Sequence, residues 1–377
     1  MRKPTRREFL RHAGEAGSAI GASKLLAGCT SSPLPVIPET PTAEGARVAV
    51  VRGSNLATMA REALDAFGGA GAFVKTGETV FIKPNFGAVG MVKYNPINKG
   101  DSVKPEIVIA VAEECLKAGA SMVTIGEAGQ VASWDWATVP TLDGTTTVAA
   151  EAERLRQAYG DRIKLACLNS ETPEWDRVPS PTPLGEIEVS SLATRADRVI
   201  SLPVIKTHRW TLMTGAMKNL FGLTSVNRYS SPLVASMRAQ LHEAGLHQVI
   251  VDIAAQIRPD FSITDFSIGC EGNGPHVLPG WWGTSVDVRD RLGSWMLLAS
   301  PDPVALDATS ARVISLEPAD IQHVLRAYNQ GLGQMLADRI ELAGATLDEL
   351  RMPWQLPDLT EGFLEVIIPG IHLLTDA

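Results

Sequence analysis

Three cationic side chains arrive within four positions at the end of one apolar run. The run is Arg198 to Ile205, and Lys206, His208 and Arg209 follow it. Lys218-Asn219 comes next, near the end of a short helix-like segment and before Gly222. A buried sheet has no use for so many charges at a strand exit, whereas ligands of open α/β sheets bind at the carboxyl ends of strands. Lys206 and Lys218 supply compact positive charge for a phosphate or carboxylate. His208 can serve as acid, base or metal ligand. Lys83 and Asn85 leave a second strand in the same way, and Glu127 leaves a third. The pattern predicts a cleft for a small anionic ligand. Lys206 and His208 are its candidate catalytic groups, and Lys83, Asn85, Lys218 and Asn219 its candidate ligand contacts. The competing reading is that these are solvated loop residues, with Lys83 capping a strand end.

The carboxylates are less sharply placed. Asp252 sits inside an apolar helix pattern, Asp265 in a strand, and Glu271 in the Gly-rich loop Gly269 to Pro275. Glu127, Asp252 and Glu271 are the candidate ligands for a hard divalent cation such as Mg²⁺, although no spacing specifies one. In the loop, Gly272 and Gly274 are candidates for offering backbone N–H groups to an anion. The loop lacks both Walker-A and GxGxxG spacing. Asp302 ahead of Pro303 reads as a helix N-cap, and Asp307 as a side chain that could face inward. There is no GxSxG, no HExxH and no carboxylate pair with glycosidase-like spacing. His242 and His247 are five apart, which is wrong for one helix face. Trp281-Trp282, between Gly280 and Gly283, reads as packing, with a lid or contact surface as the alternative.

The elements that must position these residues alternate along the chain. Strand-like runs occupy 47–51, 79–83, 122–126, 163–168, 187–190, 199–205, 260–268, 295–299 and 340–343. Helical spacing covers 56–67, 105–118, 148–159, 233–244, 246–257, 303–314 and 318–329. Such alternation predicts an α/β fold, a mostly parallel sheet flanked by helices. A single large domain over 46–350 is expected, with 130–195 as a candidate insertion or subdomain and 351–377 as a tail.

The N-terminus has its own chemistry. Arg6-Arg7-Glu8-Phe9-Leu10 matches a twin-arginine export pattern, followed by a weakly apolar stretch to Ala27. That stretch is too short and too rich in Gly and Ala to span a membrane. Leu26-Ala27-Gly28-Cys29 matches a lipobox, so Cys29 is expected to be lipidated and to become the first mature residue. Residues 29–45 carry four prolines among small polar residues and read as an extended tether. The expected partners are the twin-arginine machinery and, through the anchor, a membrane. The expected location is the periplasmic side of the cell envelope. Residues 1–28 hold six basic and two acidic residues, so the formal charge of −8 for the chain becomes −12 for the remainder. A strongly acidic protein is a poor nucleic-acid binder. Cys115, Cys167 and Cys270 are isolated, which argues against zinc ribbons and iron–sulfur clusters.

Several separated motifs, in order, resemble the bacterial and archaeal domain-of-unknown-function 362 family. They are Lys83-Pro-Asn85, Pro203-Val-Ile-Lys206-Thr-His208, Gly215-Ala-Met-Lys218-Asn219-Leu-Phe-Gly222, Gly272-Asn-Gly274-Pro and Asp302-Pro-Val-Ala-Leu-Asp307. The resemblance covers roughly residues 46–350 and supports the fold and the choice of site residues. It supplies no established reaction. Some relatives carry a ferredoxin-like domain with iron–sulfur clusters, whose cysteines this chain does not have. Two functions follow. One is an enzyme acting on a small anion; the other is a non-catalytic, lipid-anchored binding or assembly protein of the envelope.

Overall fold

Thirteen strands form two sheets in a computed structural model, which describes residues 45–231, 237–278 and 282–358. Arg6, Arg7, Cys29 and the tether to residue 44 lie outside the described residues, as do Trp281 and the tail from 359.

The strands are β1 (Ala46–Gly53), β2 (Thr79–Pro84), β3 (Met122–Glu127), β4 (Ile163–Cys167), β5 (Trp175–Pro179), β6 (Glu186–Ser190), β7 (Arg198–Leu202), β8 (Val204–His208), β9 (Leu212–Thr214), β10 (Phe261–Gly272), β11 (Gly283–Asp287), β12 (Trp295–Ser300) and β13 (Ile340–Ala343). The large sheet runs β13-β1-β12-β10-β7-β2-β3-β4, with β8, β9 and β11 attached beside β10. The pairings that position the site and its frame are parallel or antiparallel for a simple reason. β2, β3, β4 and β7 are joined through helices or other long connections and pair in parallel. β12 follows β10 through the short β11 hairpin and therefore runs antiparallel to both β10 and β1. The fold is thus mixed α/β with a mostly parallel sheet, as the alternation implies.

The sheet is covered on both faces. Helices α1 (Leu56–Asp65), α2 (Pro105–Lys117) and α3 (Val148–Tyr159) pack with Val80, Ile82 and Ile200 on one side. The other side carries α4 (Ala216–Asn219), α5 (Leu246–Ile257), α6 (Pro303–Val313) and α7 (Gln322–Asn329), which pack with Phe81 and Val199. The alternation of Val80, Phe81 and Ile82 between the two cores is the period-two pattern of a strand buried on both faces.

Several boundaries differ from expectation. The single run 199–205 is broken at Pro203, which has no N–H to give the ladder. β7 pairs with β2 as far as Leu202; β8 then continues against β10 and folds back on β9 as a hairpin. The segment after His208 is therefore a strand before it becomes the four-residue α4. Helix 318–329 is divided into a turn at Pro318–Asp320 and α7. Of the helix expected over 233–244, Ala239–Glu243 is helical, while Met237 and Arg238 ahead of it are not. Within 130–195, β4 belongs to the large sheet, and it is the β5–β6 hairpin that forms a sheet of its own. The domain also passes residue 350: Met352 and Trp354 are buried, and their N–H groups bond to Val313 and Ile314.

Candidate functional site

β2, β3 and β4 step outward in one direction while β7 lies on the other side of β2, so the strand order reverses between β2 and β7. A crevice forms at the carboxyl ends of strands at such a point. Here it is a cleft of about 730 Å³, including its open mouth. β8 has turned away from β2 at Pro203, and the cleft opens between them. Lys83, Asn85, Lys206, His208, Lys218 and Asn219 all line it, with Glu127 beside them.

Lys83 and Glu127 form a buried pair on its floor. Their side chains are 1% and 2% exposed and Nζ lies 2.7 Å from Oε2. Lys83 also donates to the Pro84 carbonyl at 2.7 Å. The Glu127 carboxylate accepts backbone N–H groups from Phe86, Ala128 and Gly129 at 2.9, 2.9 and 3.0 Å. These acceptors are saturated by the protein, so the pair shapes the floor. Gly222 is required here, because a Cβ would meet Lys83 Nζ and Glu127 Oε1 at 2.8 Å.

Asn85 and Asn219 connect this floor to the second lysine. Lys206 Nζ donates to Asn85 Oδ1 at 3.0 Å and to the Asp101 carbonyl at 2.7 Å. Asn219 Nδ2 donates to the Lys83 carbonyl and Ser201 Oγ. Burial holds Lys206 down to about 8. Lys218, half-buried on α4, makes no hydrogen bond or ion pair among the described residues; its Nζ lies 5.4 Å from the Phe221 ring centre. Burial, with Lys206 and Arg238 nearby, brings Lys218 down to about 7. Arg238 is 1% exposed and donates Nε to Thr224 and Nη1 to Gly129, while Nη2 has no partner. Among the described residues of the cleft wall Glu127, already saturated, is the one carboxylate; behind the wall the charge of Asp101 acts on Lys206.

Three imidazoles complete the wall: His208, His242 and His276. Burial and the surrounding cations hold His208 well below its ordinary value and His242 at about 3. Trp210, Phe221 and Trp282 add apolar surface, with the Trp282 ring edge-on to His276 and the Arg209 guanidinium 4.6 Å from its centre. Trp282 is thus part of the wall, which is the packing reading of that tryptophan.

Other expected residues have different places. Asp252 is not among the residues lining the cleft and accepts from Ser180 Oγ and Gln248 Nε2, both at 2.7 Å. Glu271 pairs with Arg291 at 2.8 Å and accepts the Gln355 N–H. Glu127, Asp252 and Glu271 therefore do not converge on a metal, because each carboxylate serves a different part of the frame. Among the described residues no group of three His, Cys, Asp or Glu side chains is placed to hold a metal ion. Gly272 and Gly274 do not cradle an anion either: their N–H groups donate to Gln355 and Gly272 carbonyls at 2.9 and 2.8 Å. Asp265 is buried against Lys104 at 3.2 Å. Asp302 caps α6 through the Val304 and Ala305 N–H groups. Asp307 does face inward and caps α4, taking the Ala216 and Met217 N–H groups at 2.6 and 3.2 Å. It thereby holds the helix that carries Lys218. Sequence reasoning missed Arg238, Asp101 and His276. Asp101 stands in a loop with no periodic signal, Arg238 lies within the run that reads as a helix over 233–244 and in fact precedes the helix at Ala239, and His276 directly follows the Gly272-Asn-Gly274-Pro motif.

The fold and cleft define a mixed α/β protein with a cationic cavity at its topological switch point. The family profile described as Domain of unknown function (DUF362) matches residues 80–312, and the chain belongs to that family. A thylakoid-associated protein of Synechocystis sp. is 29% identical over 317 residues, 81% of this chain and 84% of that protein. Among solved structures, the lactate racemase apoprotein of Thermoanaerobacterium thermosaccharolyticum aligns at 15% identity and a TM-score of 0.31, over 58% of this chain and 50% of that one. A Thermotoga maritima protein aligns at 12% identity and 0.35, over 75% and 59%. This chain spans less than two thirds of either solved chain.

Proposed function

We propose that the cleft binds a small anion, a phosphate or carboxylate, between Lys206, Lys218 and Arg238, with His208 beside them. The observation that carries this reading is Lys218: an ammonium group in a cationic cleft, with no hydrogen bond or ion pair among the described residues. Clustered cations repel one another unless an anion neutralises them. Lys83 is left out of the ligand set, since Glu127 already occupies it. A divalent cation, if one takes part, enters with the anion.

A melting experiment on the full chain tests the reading. Phosphate, sulfate and small carboxylates are screened with and without Mg²⁺ or Mn²⁺ on the parent and on Lys218→Ala. An anion at about a hundredfold over its Kd should stabilise the parent by roughly 2.7 kcal/mol. At least one should raise the melting temperature of the parent and leave that of the variant unmoved. Equal shifts in both proteins for every anion would end the anion reading.

We also propose that the protein is exported through the twin-arginine route and anchored by a lipid on Cys29. The ordered motifs at Arg6-Arg7 and Cys29 support this, as does a relative named for its association with thylakoids. Among the described residues no helix is long and apolar enough to cross a membrane. Arg6→Lys with Arg7→Lys should abolish delivery to the envelope in cell fractionation, and Cys29→Ala should abolish acyl labelling. Normal delivery of the double variant would refute the route.

A further inference from the structure

Behind the cleft wall lies a carboxylate that the anion site does not use. Asp101 is completely buried, and its Oδ2 accepts the Tyr94 hydroxyl and stands 3.6 Å from His276 Nδ1. Its Oδ1 has no hydrogen-bond partner among the described residues. The segment carrying it is firmly placed. Gly100 has a φ of 90° and packs so closely on Gly269 that a Cβ would collide with the Gly269 carbonyl. Lys206 donates to the Asp101 carbonyl at 2.7 Å. The Tyr94 hydroxyl also accepts the Val277 N–H at 3.2 Å, which ties residue 94 to the chain just after His276.

Two of the three imidazoles of the cleft, His208 and His276, are oriented in opposite senses. His208 Nδ1 accepts the Trp210 N–H at 3.3 Å, so a neutral His208 carries its proton on Nε2. His276 Nδ1 faces a carboxylate, which favours the proton on Nδ1 and leaves Nε2, at the opposite edge of the ring, with a free electron pair. At 3.6 Å the contact is electrostatic and not a hydrogen bond, and His276 Nδ1 has no hydrogen-bond partner among the described residues, so the carboxylate is the acceptor nearest to hand for a proton on Nδ1. Burial lowers His276 in spite of Asp101, with Lys206 and Lys218 adding to the effect, which favours the neutral ring.

We propose that His276, oriented by Asp101, is the proton acceptor of this cleft, and that His208 is its hydrogen-bond donor. The inference rests on the anion reading and adds to it the class of ligand: an anion that also carries a weakly acidic O–H group. In the step, that O–H proton moves to His276 Nε2. The electron pair stays on the ligand oxygen, where the His208 Nε2–H and the Lys206 and Lys218 charges meet it. The imidazolium that forms is held by the Asp101 carboxylate. Asp101 is a positioning residue, because it acts on the ligand only through His276.

The tautomers can be read without any substrate. In imidazole nitrogen–proton correlation spectra of the ¹⁵N-labelled full chain, assigned with His208→Gln and His276→Gln, the two rings should show opposite patterns. His276 should be protonated at Nδ1 and bare at Nε2; His208 should be the reverse. Asp101→Asn should abolish the His276 preference and leave that of His208 in place, a change that a purely structural Asp101 would not produce. The proposal is overturned if the parent shows His276 protonated at Nε2, and that spectrum decides even if Asp101→Asn does not fold. Phosphate melting curves separate the two readings. Wrong tautomers with a parent still stabilised by phosphate remove the proton-transfer role alone. Correct tautomers with no anion stabilising the parent remove the anion reading and, with it, the ligand class proposed here.

Discussion

Asn85 donates its side-chain N–H to Asn219 Oδ1 at 3.0 Å, although 134 positions separate them. Through this bond the amide groups of the pair reach Lys206 Nζ on one side and the Lys83 carbonyl on the other. Two lysines that would repel are thus spaced by neutral dipoles. Replacing Asn219 with Leu keeps the volume but takes a partner from the Lys83 carbonyl, the half-buried Asn85 amide and Ser201 Oγ, which keeps its bond to the Ala216 carbonyl. The expected loss is about 1–3 kcal/mol for each group left unsatisfied, read as a lower urea midpoint. An unchanged midpoint would mean that water takes over these bonds.

The Lys83–Glu127 pair should behave as a structural unit. Glu127→Gln leaves the Lys83 ammonium buried without its counter-charge, at a cost of about 3–5 kcal/mol. Adding Lys83→Met should recover part of that loss, since the glutamine oxygen can still accept from Phe86, Ala128 or Gly129. Two equal, additive losses in denaturation would show that the two side chains are not coupled.

Asp307 should tilt the pH dependence of stability. Burial raises its carboxyl from an ordinary 3.8 to about 7, against the pull of the Ala216 and Met217 N–H groups. Between those values the folded protein holds a proton that the unfolded chain has released. Its contribution is therefore complete below about pH 3.8 and is lost as the pH rises to about 7. The span corresponds to an upper bound of about 4 kcal/mol, at about 1.36 kcal/mol per unit. Asp307→Asn should flatten the stability curve over this window, and a curve of unchanged slope would contradict the shift.

Anion affinity should fall as Lys218 loses its proton. With Lys218 at about 7 and Lys206 at about 8, both are charged below those values and neutral above them. Sulfate, whose own charge is constant in this range, should bind roughly tenfold more weakly at about pH 9 than at about pH 6. Calorimetric titration measures this directly. Lys218→Arg, which stays charged, should reduce the slope. A sulfate affinity that rises with pH would contradict the assignment.

The sequence by itself determined the strands and what stands at their exits. Val80 to Lys83 and Met122 to Glu127 are short apolar runs ending in a charged residue, and Arg198 to Ile205 is one that exits into Lys206. In a parallel sheet their carboxyl ends share one edge, so local periodicity suffices to bring Lys83, Asn85, Glu127 and Lys206 toward one region. Only the tertiary structure decided which charges cancel. Lys83 and Lys206 look alike in sequence, yet β2 beside β3 brings Lys83 against Glu127, while the break at Pro203 carries Lys206 to Asn85 and the Asp101 carbonyl. Asp252 and Glu271 look as available as Glu127 and are held elsewhere by Ser180 and Arg291. Asp101 and His276 enter the site from loops whose course no period records, and Arg238 from just ahead of a helix shorter than its periodicity implied. Ion pairing depends on distances of a few ångströms between residues far apart in the chain, and strand order and register set those distances.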